Sequence, residues 1–399
     1  MTFHSDYVSV SPRVGSVQGR KIMRKARALL VLPFVAATAL AACGGDDGGD
    51  SATSGGEGSL SADCPAKIVI QTDWFPEAEH GSLYQMLGTD YTVDTEKKVV
   101  SGSLIDSAGE DTGVDLEIRT GGPAIGYSPV STTMQTDTSI TLGYVSTDDA
   151  AFNYDTVKTL AVVAPLEINP QIIMWDPATY PEVETIADLG EAGITLNVFA
   201  GGSFLDVFVA EGVVSQDQID PSYDGSPARF ISEGGKIAQQ GFASAEPWQY
   251  KNEFTDWGKD VKYQLIHDAG FQIYAAPLAI RADDKETLAP CLKKFVPVVQ
   301  QAAIDYVKDG ARANAIIIDA VAKYADFWVY GEEVAAYSVE TQKELGLIGN
   351  GPDETLGNFD MERANNVLQQ MKDAGLDVPA ELAAEDIYTN EFIDASIGL

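Results

Sequence analysis

From Lys67 onward the chain alternates short apolar runs with longer stretches of helical spacing, and this alternation limits its fold more than any other feature. A run of four to eight apolar residues bounded by turn residues reads as a strand. Apolar residues recurring every three or four positions mark one face of a helix. On that basis 67–71, 114–118, 139–144, 159–165, 171–175, 193–198 and 271–280 read as strands, and 241–243 as the end of another. Residues 80–88 read as a helix, and a further helix follows Ala200-Gly201-Gly202-Ser203. From Lys285 the chain turns helical, over 285–308, 312–329, 332–345 and 360–374. Strands alternating with helices predict an α/β fold with mostly parallel sheets. The length exceeds a comfortable single core, and two strand-rich regions predict two lobes with crossovers near 161–170 and 272–278. The lobes are 66–165 with 276–399, and 166–275. The closing helices are expected as a cap on the first lobe.

The residues ahead of Lys67 follow a different logic. Arg20, Lys21, Arg24, Lys25 and Arg27 precede the apolar run 28–42, which ends in Leu40-Ala41-Ala42-Cys43 and passes at once into Gly-Gly-Asp-Asp-Gly-Gly-Asp. The run is shorter than the roughly 20 residues of a membrane span. Basic flank, apolar run and small-residue cleavage site occur in the order of an export signal; the competing reading is a buried core helix. The set resembles a bacterial lipoprotein signal peptide. That resemblance implies removal of 1–42, lipidation of Cys43 and an extracytoplasmic, membrane-anchored protein, with Met23 an alternative start. Two acyl chains anchor stably where one is marginal. Residues 43–65 then form a tether, because a Gly, Ser and acid stretch buries too little surface to offset its conformational entropy.

The chain carries 26 Lys and Arg against 60 Asp and Glu, a formal net charge of −34. Six of the basic residues and one acid lie in 1–42, so the remainder is more acidic still. Such a body repels nucleic acid and anionic headgroups, although net charge says nothing about the sign of a ligand held in a local site. Of three cysteines, Cys64 and Cys291 remain once Cys43 is set aside. Two leftover cysteines in an oxidising compartment often pair, but spacing cannot place their Cα atoms, and the pairing stays open.

Catalytic signals are sparse. The three histidines, His4, His80 and His267, form no zinc spacing with cysteine, and no nucleophile elbow, Walker A loop or dinucleotide fingerprint occurs. No cofactor or metal is expected, and nothing demands an enzyme. Aromatic and polar residues on predicted loops stand out instead. Trp74 can stack on a planar ligand or pack the lobe interior; His80 can donate to a ligand or cap the next helix. Thr120-Gly121-Gly122-Pro123 and Ala200-Gly201-Gly202-Ser203 can present amides to an anionic or carbonyl group, or serve as tight turns. Glu246, within Ala243-Ser244-Ala245-Glu246-Pro247-Trp248, can accept from a ligand amine or stand exposed beside a helix start.

The stretches W-F-P-x-x-x-H-G-x-L-Y at 74–84, S-A-E-P-W at 244–248 and D-I-Y-T-N-E-F at 386–392 resemble solute-binding proteins of the NMT1/THI5-like superfamily. These are extracytoplasmic receptors of ABC importers for thiamine pyrimidine precursors, with sulfonate and nitrate binders as relatives. The resemblance covers residues 66–394 and implies a two-lobed type II periplasmic-binding-protein fold. It also implies a small ligand held between the lobes, a permease and an ATPase as partners, and a monomer. Trp74 is then a stacking platform, His80, Tyr84 and Trp248 belong to the cleft, and Glu246 meets the aminopyrimidine. Glu77-Ala78-Glu79 departs from the pattern, where an Asn is common. A sulfonate would need Arg or several N–H donors, and Arg119 and the two Gly-rich loops are the candidates. Fungal enzymes that make the pyrimidine resemble this fold but carry a cysteine-rich motif that this chain lacks. A sensor or adhesion lipoprotein without a transporter is the third reading.

Overall fold

Four of the five residues of β1 (Lys67–Gln71) are buried, and the strand is paired on both sides, so it lies inside a sheet rather than at its edge. Its neighbours are β4 (Asp111–Arg119) and β5 (Leu142–Tyr144), both parallel to it. The computed structural model describes residues 59–326 and 328–399. The expected signal peptide, Cys43 and most of the expected tether lie outside the described residues. Beyond β4 run β3 (Val99–Ile105) and β2 (Thr92–Asp94); beyond β5 run β12 (Leu278–Arg281) and β6 (Thr159–Val163), giving the order β2-β3-β4-β1-β5-β12-β6. A second sheet is built from β7 (Gln171–Trp175), β8 (Leu196–Asn197), β9 (Ile219–Asp220), β10 (Ala238–Phe242) and β11 (Lys262–Leu265), in the order β11-β7-β10-β8-β9. The architecture is α/β, as expected, with two mixed sheets.

The expectation of mostly parallel pairing is corrected: four of the ten strand pairs are parallel. The strands β2, β3 and β4 are joined by turns too short for a parallel crossover, so they must fold back antiparallel. Sequence reading missed the β2–β3 hairpin because its exposed faces carry Thr, Ser and Asp rather than an apolar run. Strand β12 returns from the second sheet and pairs antiparallel with both β5 and β6. Residues 271–277, expected within this strand, form the returning crossover and do not join the ladder.

Short helices follow the strands: α1 (Gly81–Gln85), α2 (Val130–Thr136), α3 (Thr147–Phe152), α4 (Ile186–Glu191), α5 (Ser203–Ala210), α6 (Ala228–Ser232) and α7 (Glu246–Asn252). The C-terminal helices are α8 (Lys285–Lys308), α9 (Ala311–Tyr324), α10 (Glu332–Glu344), α11 (Met361–Asp373) and α12 (Ala384–Ile387). Helix α9 stops short of the expected 329 because Ala325 turns left-handed at φ 50°. Helices α8 and α9 pack on α1 beside the first sheet, as a cap would. Helix α10 joins them, packing on α8 and α9 while also touching α7, and α11 lies against α5 and α12. The C-terminal helical region thus caps the first sheet as expected, with α11 reaching across to α5 as well. The reason for that reach is the apolar face Ala364, Val367, Leu368 and Met371, which is buried in the same core cluster as Phe204 and Phe208 of α5.

Helix α11 also carries Arg363, which grips both crossovers between the sheets. Its Nη1 donates to Glu167 Oε1 at 2.7 Å, and its Nε to the Gln272 carbonyl at 2.8 Å. Its Nη2 donates to the carbonyls of both Glu167 and Ile273. The guanidinium also stacks over Tyr274, 4.1 Å from the ring centroid. At the start of the described chain, Cys64 and Cys291 form a disulfide across 227 residues, fastening the lead into β1 to α8. Among the described residues no helix is long and apolar enough to cross a membrane.

Candidate functional site

The ends of β1, β8 and β10 bring their loops to a cavity of about 260 Å³ beside the two crossovers. Loops at the ends of strands in open α/β sheets are where ligand sites form. The loop after β1 supplies Asp73, Trp74, Glu77, Glu79 and His80; the loops after β8 and β9 supply Phe199 and Tyr223. Phe242, Ala245 and Glu246 come from the β10–α7 junction, Leu166, Pro170, Gln171, Ala275 and Ala276 from the crossovers, and Tyr127 and Trp328 from flanking loops.

Six aromatic rings thus converge from distant parts of the sequence. Trp74 lies 6.1 Å from Tyr127, 6.3 Å from Phe199 and 6.2 Å from Trp328, centroid to centroid. Phe199 and Tyr223 are 4.6 Å apart. Trp328 is held by donation from Nε1 to the Pro76 carbonyl at 3.2 Å. Gly122 makes room for Trp74: it sits at φ 55°, and a Cβ there would meet the indole Cε3 at 2.6 Å.

Four carboxyl groups face the same space. Glu246 opens α7 and folds back so that its Oε2 accepts from the Phe242 amide at 2.7 Å. Gly241 permits this close approach, since a Cβ would lie 3.0 Å from the carboxyl carbon. Burial pushes Glu246 up to about 7, against amide and Tyr223 hydrogen bonds that favour its ionised form. Glu79 is buried and accepts from the Ser244 hydroxyl, and burial raises it as well. Ser244 is tied in turn to α10, its carbonyl accepting from Ser338 Oγ at 2.6 Å. Glu77 is raised well above its ordinary range, by burial first and then by Glu79, Asp73 and Glu246. His80 is buried; its Nε2 lies 2.8 Å from Asp73 Oδ1, and its Nδ1 has no hydrogen-bond partner. Lys and Arg are absent from the lining. Among the described residues no cluster of His, Cys, Asp and Glu is arranged to hold a metal ion.

The residues singled out from the sequence therefore divide. Trp74, His80 and Glu246 line this cavity. Gly201, Gly202 and Ser203 line an adjoining cavity of about 260 Å³ that shares Asp73, Gln171, Phe199, Phe242 and Ala275 with it. Ser203 is committed there to Asp148, donating to Oδ2 at 2.7 Å. Gly121 and Gly122 stand behind Trp74, and their amides donate to the Trp74 and Asp73 carbonyls, at 2.9 and 2.8 Å. Tyr84 is buried in the core beneath the first sheet, and Trp248 packs against that same core, so neither lines the cavity. Arg119 pairs with Glu117 and Asp137 on the outer part of β4, away from the cavity. Sequence reasoning passed over Tyr127, Phe199, Tyr223, Phe242 and Trp328, whose loops meet only through the fold. Glu77 and Glu79 were visible only as a departure from the family pattern.

No protein-family model matches the chain, and no curated protein matches its sequence. Solved structures do resemble it. The ligand-binding component of an ABC-type import system from Staphylococcus aureus, with zinc bound, superposes with a TM-score of 0.52 at 12% identity, over 83% of this chain and 100% of that one. A putative periplasmic sulfonate-binding protein of a sulfonate ABC transporter from Methylobacillus flagellatus KT gives 0.51 at 12%, over 83% and 93%. The periplasmic aliphatic sulphonate binding protein SsuA from Escherichia coli gives 0.50 at 13%, over 77% and 86%. At these identities the likeness is one of fold: the chain has the architecture of periplasmic binding proteins.

Proposed function

We propose that this protein is the extracytoplasmic, lipid-anchored solute-binding component of an ABC importer. It captures a small planar, amine-bearing heterocycle of the thiamine-pyrimidine-precursor kind and delivers it to a membrane permease, without catalysing a reaction. The two sheets are its lobes, 66–165 with 276–399 and 166–275, and it works as a monomer. The fold shared with importer binding components supports the general role. The observation that carries the ligand class is the cavity itself, where the Trp74, Phe199 and Tyr223 rings stand beside the Glu246 carboxyl. Aromatic faces take a flat ring at little entropic cost, and a carboxyl orients an exocyclic amine. An oxyanion receptor, the other reading from the sequence, would need Arg, Lys or free amides here. The cavity lining has neither cation, the Gly121 and Gly122 amides are already bonded, and the 201–203 loop lines the adjoining cavity rather than this one.

A thermal-shift screen tests this reading. Hydroxymethyl-aminopyrimidine and its formylamino precursor are expected to raise the melting temperature, as a ligand that binds only the folded state must. Taurine, alkanesulfonates and nitrate are expected to leave it unchanged. W74A should weaken pyrimidine binding more than about tenfold, the order of a lost aromatic contact. A shift with oxyanions alone would overturn the ligand assignment.

A further inference from the structure

The charge of the site carries a conclusion about the ligand that goes beyond its shape. We infer that the cavity takes its ligand as an organic cation, and that Glu77 is the carboxylate that meets the positive charge. This rests on the reading of the cavity as the binding site, but not on the ligand being a pyrimidine.

Three independent observations converge. First, Asp73, Glu77, Glu79 and Glu246 line one cavity with no Lys or Arg among them. Three of the four have internal partners: Asp73 has His80, Glu79 has Ser244, and Glu246 has the Phe242 amide. Second, among the described residues no donor reaches the Glu77 carboxyl. It is the one acid of the set left to be satisfied from the cavity. Third, six aromatic rings line the same cavity, and none of the four cation–π contacts among the described residues uses one of them. Aromatic faces beside carboxylates attract a desolvated organic cation and repel an anion. The groups that act on Glu77 are the acids Glu79, Asp73 and Glu246, with Tyr84 and Tyr330 behind it, and the basic side chain in the lining, His80, is committed through Nε2 to Asp73. Burial among other acids holds the Glu77 carboxyl toward its protonated form until such a charge arrives. Two of the structurally similar proteins named above are sulfonate binders or putative ones; this cavity is built for the opposite sign.

Three planar probes of nearly one shape isolate charge: benzamidinium, benzamide and benzoate, measured by calorimetry near pH 7.5 on the full mature chain. Benzamidinium is expected to bind about tenfold or more tightly than benzamide, the order of a charge-assisted hydrogen bond, and benzoate not at all. E77Q should bring the benzamidinium-to-benzamide ratio close to one. E77D, which retains the charge, should retain the preference. A cooperative urea-unfolding transition in E77Q shows that the variant is folded. Equal binding of the neutral or anionic probe, a preference that survives E77Q, or no binding of benzamidinium would each overturn the inference. If benzamidinium is preferred and hydroxymethyl-aminopyrimidine does not bind, the pyrimidine reading falls and the cation assignment stands.

Discussion

Replacing Glu246 with Gln separates what this residue does for a ligand from what it costs the fold. The exchange keeps an oxygen to accept from the Phe242 amide, now at 2.7 Å, and removes only the ionisable group. The native carboxyl titrates at about 7 against an ordinary value of 4.5. A raised carboxyl favours the folded state in its protonated form. Its contribution to stability is complete below about 4.5 and is lost as pH rises through about 7. At 1.36 kcal/mol per unit, the buried Glu246 has cost the folded protein, relative to its fully protonated limit, about 3 kcal/mol near pH 8 and about 1 kcal/mol near pH 5.5. E246Q, which does not titrate, should therefore be more stable than the native protein by up to those amounts. Urea unfolding at the two pH values reads the difference directly. Glu167, also raised to about 7 by burial, gives both proteins the same acid-side gain and cancels in the comparison. The same variant should bind a cationic ligand less well, so stability and function move in opposite directions. A stability change equal at both pH values, or a Gln variant less stable near pH 8, would refute the reasoning.

Other consequences follow from the same geometry. R363M leaves the buried Glu167 carboxyl without its ion pair and should cost about 3 kcal/mol or more in urea unfolding, a loss that R363K restores only in part because lysine lacks the planar fork. Reducing the Cys64–Cys291 bridge opens a 227-residue loop in the unfolded chain. In the chain-entropy model this costs about 5 kcal/mol, visible as a lower melting temperature with reductant. G122A forces a side chain into a left-handed position against the Trp74 indole; it should destabilise by about 1–3 kcal/mol and weaken ligand binding together.

Much of the frame was legible because it depends on local pattern. The apolar run 67–71 could only be an interior strand, and the helix over 285–308 was visible from its spacing, despite Pro290 and Pro297. What escaped reading was decided by tertiary pairing. The antiparallel course of β12 reflects the chain's return from the second sheet, which no window of sequence contains. Trp74, His80 and Glu246 stood out because each sits just past an apolar strand. Tyr127, Phe199, Tyr223 and Trp328 reach the same cavity from loops up to two hundred residues away, with no local mark to distinguish them from surface aromatics. Tyr84 failed in the other sense: its position one helical turn past His80 turns the ring into the core beneath the first sheet.

The path of the chain through Arg363 bears on how a receptor of the proposed kind can change its ligand. The polypeptide leaves the first sheet after Val163 and rejoins it at Leu278, and a single guanidinium nitrogen reaches carbonyls on both passages. Everything between is thus an insert attached at two adjacent points, which can be exchanged as one cassette without redrawing the ladder of β1, β4 and β5. Phe199, Tyr223, Phe242 and Glu246 would travel with that cassette, while Trp74, Glu77 and His80 stay behind. Half of the recognition surface is consequently heritable on its own, so a recombined chain could acquire a new preference while its acidic half continued to demand a cation.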